Sequence, residues 1–190
     1  MKAAQIRKRA GRIRKIRKIH RIAGLYFFLF FLVISISGLL LAWKKNSGEL
    51  ISIPTFRGTT KNMETWLHLH ELTEIATDYY QQEFPGKSSI SLSRIDVRPE
   101  NGILKFLFED NYYEIQIDGA TGEILHSGYR VSDIIENIHD GSVLDRLMKN
   151  REDWFKLIYS TLLGLASVTF AVTGYWMWRE RKKIRKLGRR

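Results

Sequence analysis

Residues Ile22–Trp43 read IAGLYFFLFFLVISISGLLLAW, twenty-two residues without a charged side chain. About 20 apolar residues suffice to carry a helix across a bilayer. A second such run, LIYSTLLGLASVTFAVTGYWMW, covers Leu157–Trp178. Trp43, Trp154, Tyr175, Trp176 and Trp178 cluster at the ends of the two runs, where amphipathic rings prefer the membrane–water boundary. The first run is longer than the apolar region of a signal peptide, and its flank AWKKNSGEL has no small-x-small cleavage site. It reads as a retained anchor.

The charges are sorted around these runs. The chain carries 31 Lys/Arg against 20 Asp/Glu, a net +11. Residues 1–21 hold 10 Lys/Arg and no acid, and residues 179–190 hold 8 Lys/Arg and only Glu180. Between the tails, 13 basic residues face 19 acidic ones. A nucleic-acid binder gathers its cations on one folded face; here each basic block abuts an apolar run. The expected partner is therefore the lipid bilayer, with no nucleic acid. Lys/Arg excess marks the cytoplasmic side, which divides the chain into a basic cytoplasmic tail (1–21), transmembrane helix 1 (22–43), an extracytoplasmic domain (44–153), transmembrane helix 2 (154–178) and a second basic tail (179–190). There is no cysteine, which is compatible with either compartment.

The extracytoplasmic domain reads as helix, antiparallel meander, helix. METWLHLHELTEIATDYYQQEFPGKS reads as a helix with Leu69, Leu72, Ile75, Ala76 and Tyr79 on one face, ended by Pro85-Gly86. SLSRIDVRP, ILKFLFED, YYEIQID and a shorter EILHSGYR read as strands. The first alternates imperfectly; the second offers Ile103, Phe106 and Phe108, and the third Tyr113, Ile115 and Ile117. Turns are expected at Pro99–Gly102, Asp110-Asn111 and DGATG. VSDIIENIHD closes the domain as a helix capped by Ser132 or Asp133. The fold class is an α+β membrane protein, with two transmembrane helices flanking this module.

Three stretches carry a family resemblance. YYEIQIDGATGEIL resembles the closing hairpin of a PepSY domain. KIHRIAGLYFFLFFLVISISGLLLAWKK resembles the first helix of the PepSY-associated transmembrane family, and IHDGSVL with VTGYWMWRERKK is similar to its last. The resemblance runs from about residue 15 to residue 183 and departs at Ile22, where the family usually has an aromatic. The chain is then a short, two-helix member with a PepSY-like module outside a bacterial inner membrane. The resemblance implies two kinds of activity. Larger members are associated with iron uptake, and some are haem-containing ferric or ferric-siderophore reductases; soluble PepSY domains are linked to inhibition or chaperoning of secreted peptidases.

His20 and His139 are the candidate cofactor and metal ligands. His20 lies at the inner mouth of the first run, with Gly24 one turn away. An imidazole beside a missing side chain suits haem b, the iron ligated and the porphyrin close to the backbone. The alternative is one more polar residue in a basic flank, with Gly24 and Gly38 serving helix packing. His139, beside Asp140 on the outer side, is either an outer ligand tuned by Asp140 or a helix-end residue. The segment VLDRLMKNREDW after it is expected to lie along the membrane surface. Twenty-two helical residues rise about 33 Å, so the two histidines of one chain cannot share an iron. Bis-histidine ligation calls for a homodimer or a larger membrane complex. A small-residue stripe, Gly164, Ser167, Ala171 and Gly174, either serves that dimer or packs against the Gly24–Gly38 stripe within the chain. His68, His70 and His126 read as solvent-facing. There is no Gly-x-Ser-x-Gly, phosphate loop or nucleotide fingerprint.

Two functions remain open: a haem-dependent electron-transfer or ferric-reduction component of iron acquisition, and a non-enzymatic accessory subunit whose module binds a peptide or partner protein. The topology is testable directly. Single cysteines at Ser47, Ser88 and Leu187 are to be probed with a membrane-impermeant thiol reagent: the first two should label in spheroplasts and the third only after lysis. Labelling at 187 in intact spheroplasts reverses the orientation.

Overall fold

The structure, a computed structural model, describes residues 2–87, 90–109, 111–148 and 152–188. Ser88, Asp110 of the expected turn, and Lys149–Arg151 of the expected surface segment lie outside the described residues. The chain divides into two compact units, residues 40–136 and residues 1–39 with 137–190.

The second unit is built on two long helices, α1 (Lys2–Ala42) and α5 (Trp154–Gly188). Both continue well beyond their apolar runs, so the basic tails are helical extensions rather than separate segments. Lys and Arg are good helix formers, and the extensions gain the Arg9–Glu180 ion pair at 3.2 Å and a buried Ile13. Within the apolar runs the side chains stand bare: Leu25 is 78% exposed and Val168 63%. Apolar surface on this scale is unfavourable in water. Lipid is the solvent that removes the penalty, and a helix satisfies its own backbone there.

The first unit carries a four-stranded antiparallel sheet in the order β1 (Leu92–Arg98), β2 (Ile103–Phe108), β3 (Tyr113–Asp118), β4 (Ile124–Tyr129). Helix α2 (Leu69–Glu83) covers one face. It buries Leu72, Ala76 and Tyr80 against Leu104, Phe106, Phe108, Tyr113, Ile115 and Ile117, with Tyr80 stacked on Phe108 at 4.0 Å. The α+β class is as expected, but the details correct the sequence reading in three places and explain a fourth feature. Helix α2 starts at Leu69, because the Glu71 carboxylate accepts from the His68 N–H and fixes the helix start there; Met63–Thr65 is a separate 3₁₀ turn. Tyr80, not Leu69, completes its buried face. Leu104 rather than Ile103 joins the α2-side core. A bulge between Leu92 and Arg94 explains the imperfect alternation of β1.

Helix α3 (Val131–Asp140) follows β4. Ser132 and Asp133, the expected caps, lie inside it, and the Asp133 carboxylate instead accepts two hydrogen bonds from Arg130, at 2.6 and 3.0 Å. That bidentate pair outweighs the burial of Arg130 and strengthens its hold on the proton.

Behind the sheet, on the face away from α2, β2 and β3 bury polar side chains: Lys105, Glu114, Gln116 and Asp118. Residues 53–60 run across them as a strap. The Phe56 N–H donates to Gln116 Oε1 at 3.0 Å, and Gln116 Nε2 donates to the Pro54 carbonyl at 2.8 Å. Lys105 reaches Thr55 Oγ1 at 2.9 Å. The Asp118 carboxylate accepts from the Thr59 N–H and hydroxyl and from the Ala120 N–H. Burial alone would raise its pKa; these donors outweigh burial and hold it below the ordinary carboxylate value. His126, expected at the surface, is half-buried with its ring stacked on Phe56 at 5.0 Å.

The DGATG turn needs both of its glycines, for different reasons. Gly122 has φ +74°, and a Cβ at Gly119 would lie 2.4 Å from the Trp66 ring. Valine at Gly122 should destabilise the protein by about 1–3 kcal/mol, and valine at Gly119 by at least as much, because Trp66 must leave its place. Melting curves of the two variants check this; an unchanged midpoint in either removes the corresponding role.

Candidate functional site

The sequence His139-Asp140-Gly141-Ser142 joins α3 to α4 (Ser142–Leu147). Gly141 has φ +82°, and a Cβ there would sit 2.7 Å from the Tyr159 ring. Only glycine gives both the left-handed turn and the close approach to α5. Asp140 fixes the junction: its carboxylate accepts from Lys156 Nζ at 2.7 Å and from the Ser142 hydroxyl at 2.6 Å. Burial pushes this carboxyl up, and Lys156 with Ser142 more than offsets it, leaving the pKa below the ordinary value. Asp145, 2% exposed, accepts from the Phe155 and Lys156 N–H groups and caps α5. The expected role of Asp140 behind His139 is therefore corrected: its partners are Lys156 and Ser142.

The residue that orients His139 is Ser37. Its Oγ lies 2.9 Å from His139 Nδ1 and donates to the Val33 carbonyl at 2.6 Å. A hydroxyl has one proton. When that proton is on Val33 O, Ser37 accepts, and a neutral His139 ring then carries its proton on Nδ1 and its lone pair on Nε2. Gly38 lets the ring lie against α1, where a Cβ would meet His139 Cε1 at 3.3 Å.

His20 repeats the device at the other end. Its Nδ1 lies 2.8 Å from Thr173 Oγ1, which donates to the Thr169 carbonyl at 2.6 Å. With the Thr173 proton on Thr169 O, a neutral His20 ring is likewise the Nδ1–H tautomer, with its lone pair on Nε2. Its ring meets the edge of Phe170 at 4.8 Å between centroids, and Phe170 also covers Gly24. A cavity of about 360 Å³ opens beside it, lined by apolar side chains including Ile16, Ile19, Ala23, Phe27, Leu162 and Leu165.

His139 is tied to Ser37 and His20 sits on α1 itself. Seventeen residues of helix separate the two levels by about 26 Å, so the two imidazoles of one chain cannot meet at one ion. Among the described residues no three His, Cys, Asp or Glu side chains gather as a ligand set. A bare ion would thus find one imidazole at each position, so a group that needs a single protein ligand, as haem would, suits these residues better than a free ion. The fit is best at His20, where a free Nε2 lone pair adjoins an apolar cavity. The small-residue stripes do not pack on each other within the chain: a Cβ at Gly164 or Gly174 would meet nothing within 4 Å, while Gly24 and Gly38 are covered by Phe170 and His139. His68 and His70 make no joint site; His70 pairs with Glu74 at 3.3 Å.

Sequence reasoning missed Ser37, Thr173 and Phe170. The available signal was a hydroxyl inside an apolar helix, which is seldom idle at that depth.

With this arrangement in view, the comparison with known families is decisive for class. The pattern of the PepSY-associated TM region matches residues 2–181. The chain belongs to that family, and with its two long apolar helices it is a membrane protein. No curated protein matches it.

The tautomers give a measurable signature. In protein labelled with ¹⁵N at histidine, the neutral rings of His20 and His139 should both be protonated on Nδ1. Ser37→Ala should shift His139 alone towards the Nε2–H form, and Thr173→Val should do the same to His20. A His139 signal indifferent to Ser37→Ala removes the orienting role of that hydroxyl.

Proposed function

We propose that this protein is a bacterial inner-membrane component linked to iron acquisition, serving haem-dependent electron transfer or ferric reduction. Both termini are cytoplasmic and the module faces the periplasm, in keeping with the basic tails. The observation that carries the reading is the pair of imidazoles at two levels of one helical unit. Each has its Nδ1–H committed to a back-bonded hydroxyl, and each keeps an Nε2 lone pair. Fixing one ring nitrogen so that the other can ligate is the usual support of a metal-bound histidine.

His20 and His139 are the proposed haem b ligands, with Gly24 allowing close approach on the inner side. Haem bound there supplies one-electron chemistry. The chain's own contribution is to hold each ring in the ligating tautomer and, at His20, to surround it with apolar side chains that exclude water. One imidazole per site and per chain makes a homodimer the simplest source of a second ligand. The exposed Gly164–Ser167–Ala171 surface of α5 is a suitable place for close contact. The second reading, an accessory subunit that binds a peptide or protein partner, is favoured by one feature: β1 and β4 each pair on one side only, which leaves edges to which a strand can add.

The absorption spectrum of the detergent-purified protein, made with haem available, decides between them. A Soret band is expected, reduced in part by His20→Ala and in part by His139→Ala, and abolished in the double variant. The haem should co-elute with the dimer. A folded protein with no Soret band leaves the accessory reading in place.

A further inference from the structure

Between the two basic tails the chain is acidic, yet one hollow in the sheet-bearing unit reverses that sign. It has a volume of about 200 Å³, and its lining includes Lys44, Arg94, Arg98, Lys105 and Arg130 against only Asp96 and Glu114. The inner charges are matched. Glu114, its side chain 1% exposed, lies between Lys105 at 3.3 Å and Arg130, and Arg130 turns its remaining nitrogens to Asp133. Two cations and two carboxylates cancel there.

The rim is different. Asp96 is shared between Arg94 at 3.3 Å and Arg98 at 4.0 Å. One carboxylate thus serves two guanidinium groups, and Lys44 adds an ammonium. The rim keeps an excess of two positive charges. Arg94, Asp96 and Arg98 alternate along β1, so all three point to one face of the sheet. Asp96 is in register with Lys105, which puts that face over the buried ion cluster. Half-exposed guanidinium groups held near one another, with a desolvated ionic floor beneath them, form a receptor for a planar or tetrahedral oxyanion. Arg binds such groups in bidentate fashion. The acidic surroundings discourage anions elsewhere on the unit, which makes the hollow selective by position.

We infer that this hollow is a binding site for a small phosphate- or carboxylate-type oxyanion, held by Arg94 and Arg98 with Lys44 alongside. The volume suits a single such group rather than a large chelate. Two sources carry this chemistry: a free anion, and the phosphate of an anionic lipid headgroup. Lys44 lies two residues beyond Ala42, where α1 ends, so chain connectivity roots one wall of the hollow at the end of a membrane helix. The site is independent of haem and of the reading proposed above.

The test uses the full chain in neutral detergent. Inorganic phosphate, against chloride at equal ionic strength, should raise the melting temperature by several degrees when well above its Kd. The shift should be lost in Arg94→Gln/Arg98→Gln and reduced in Lys44→Gln, but kept in Lys61→Gln, which lies outside the hollow. Arg94 and Arg98 are about half exposed, and the midpoints in chloride show that each variant folds. In a parallel series, nanodiscs of phosphatidylcholine are compared with discs containing phosphatidylglycerol. Stabilisation by phosphate identifies a free anion; stabilisation by phosphatidylglycerol alone, absent from the double variant, identifies the headgroup. If neither anion stabilises the protein, or if the stabilisation survives in the double variant, the site does not exist.

Discussion

A hydroxyl group inside an apolar helix has one proton to give, and the nearest acceptor is the carbonyl a turn earlier on its own helix. Ser37 and Thr173 each give it there. What remains is an oxygen lone pair aimed sideways, and in both cases an imidazole Nδ1 lies against it. The candidate site depends on this constraint twice. It ties the end of α3 to α1 and ties α1 to α5, and with the hydroxyl proton on the carbonyl it selects the Nδ1–H tautomer of both rings. Bonding of this kind is worth most where no water competes for the donor.

The HDGS junction shows how His139 is delivered to its partner. Gly141 turns the chain and lies flush on Tyr159, Asp140 takes Lys156, and Asp145 caps the start of α5. Three short-range devices, none of them involving the imidazole, leave His139 facing Ser37. The residues beside a candidate ligand therefore build the joint that carries it. At the other end of the helix pair no such joint is needed, because His20 is part of α1 and meets Thr173 directly.

The sheet-bearing unit solves a different problem. Its central strands are buried on both faces, a pattern more often met in parallel sheets, although this meander is antiparallel. One face is apolar and covered by α2. The other is polar and is covered by a strap whose backbone donates to Gln116 and Asp118 and accepts from Gln116, and whose Thr55 hydroxyl accepts from Lys105. Buried polar groups are tolerable when every one is satisfied. Here the side chains of the sheet supply the partners that the irregular strap would otherwise lack.

Much of this was legible in the sequence, because it depends on local pattern. Two uncharged runs of membrane length, basic tails, a 3.6-residue period in α2, alternation in β3 and the DGATG turn are properties of neighbouring residues, and they suffice for two membrane helices around an α+β module. The two histidines could also be singled out, since imidazoles flanking apolar runs are conspicuous. What the sequence could not contain was partnership across distance. Ser37 meets His139 over 102 residues and Thr173 meets His20 over 153; Asp140 looked like the partner of His139 because it is adjacent, yet its carboxylate belongs to Lys156. Likewise Glu114, Gln116 and Asp118 alternate like a solvent face, and only the strap from residues 53–60 turns them into a buried one. Period and charge are fixed along the chain, whereas hydrogen-bond partners and burial are set by which segments the fold brings together.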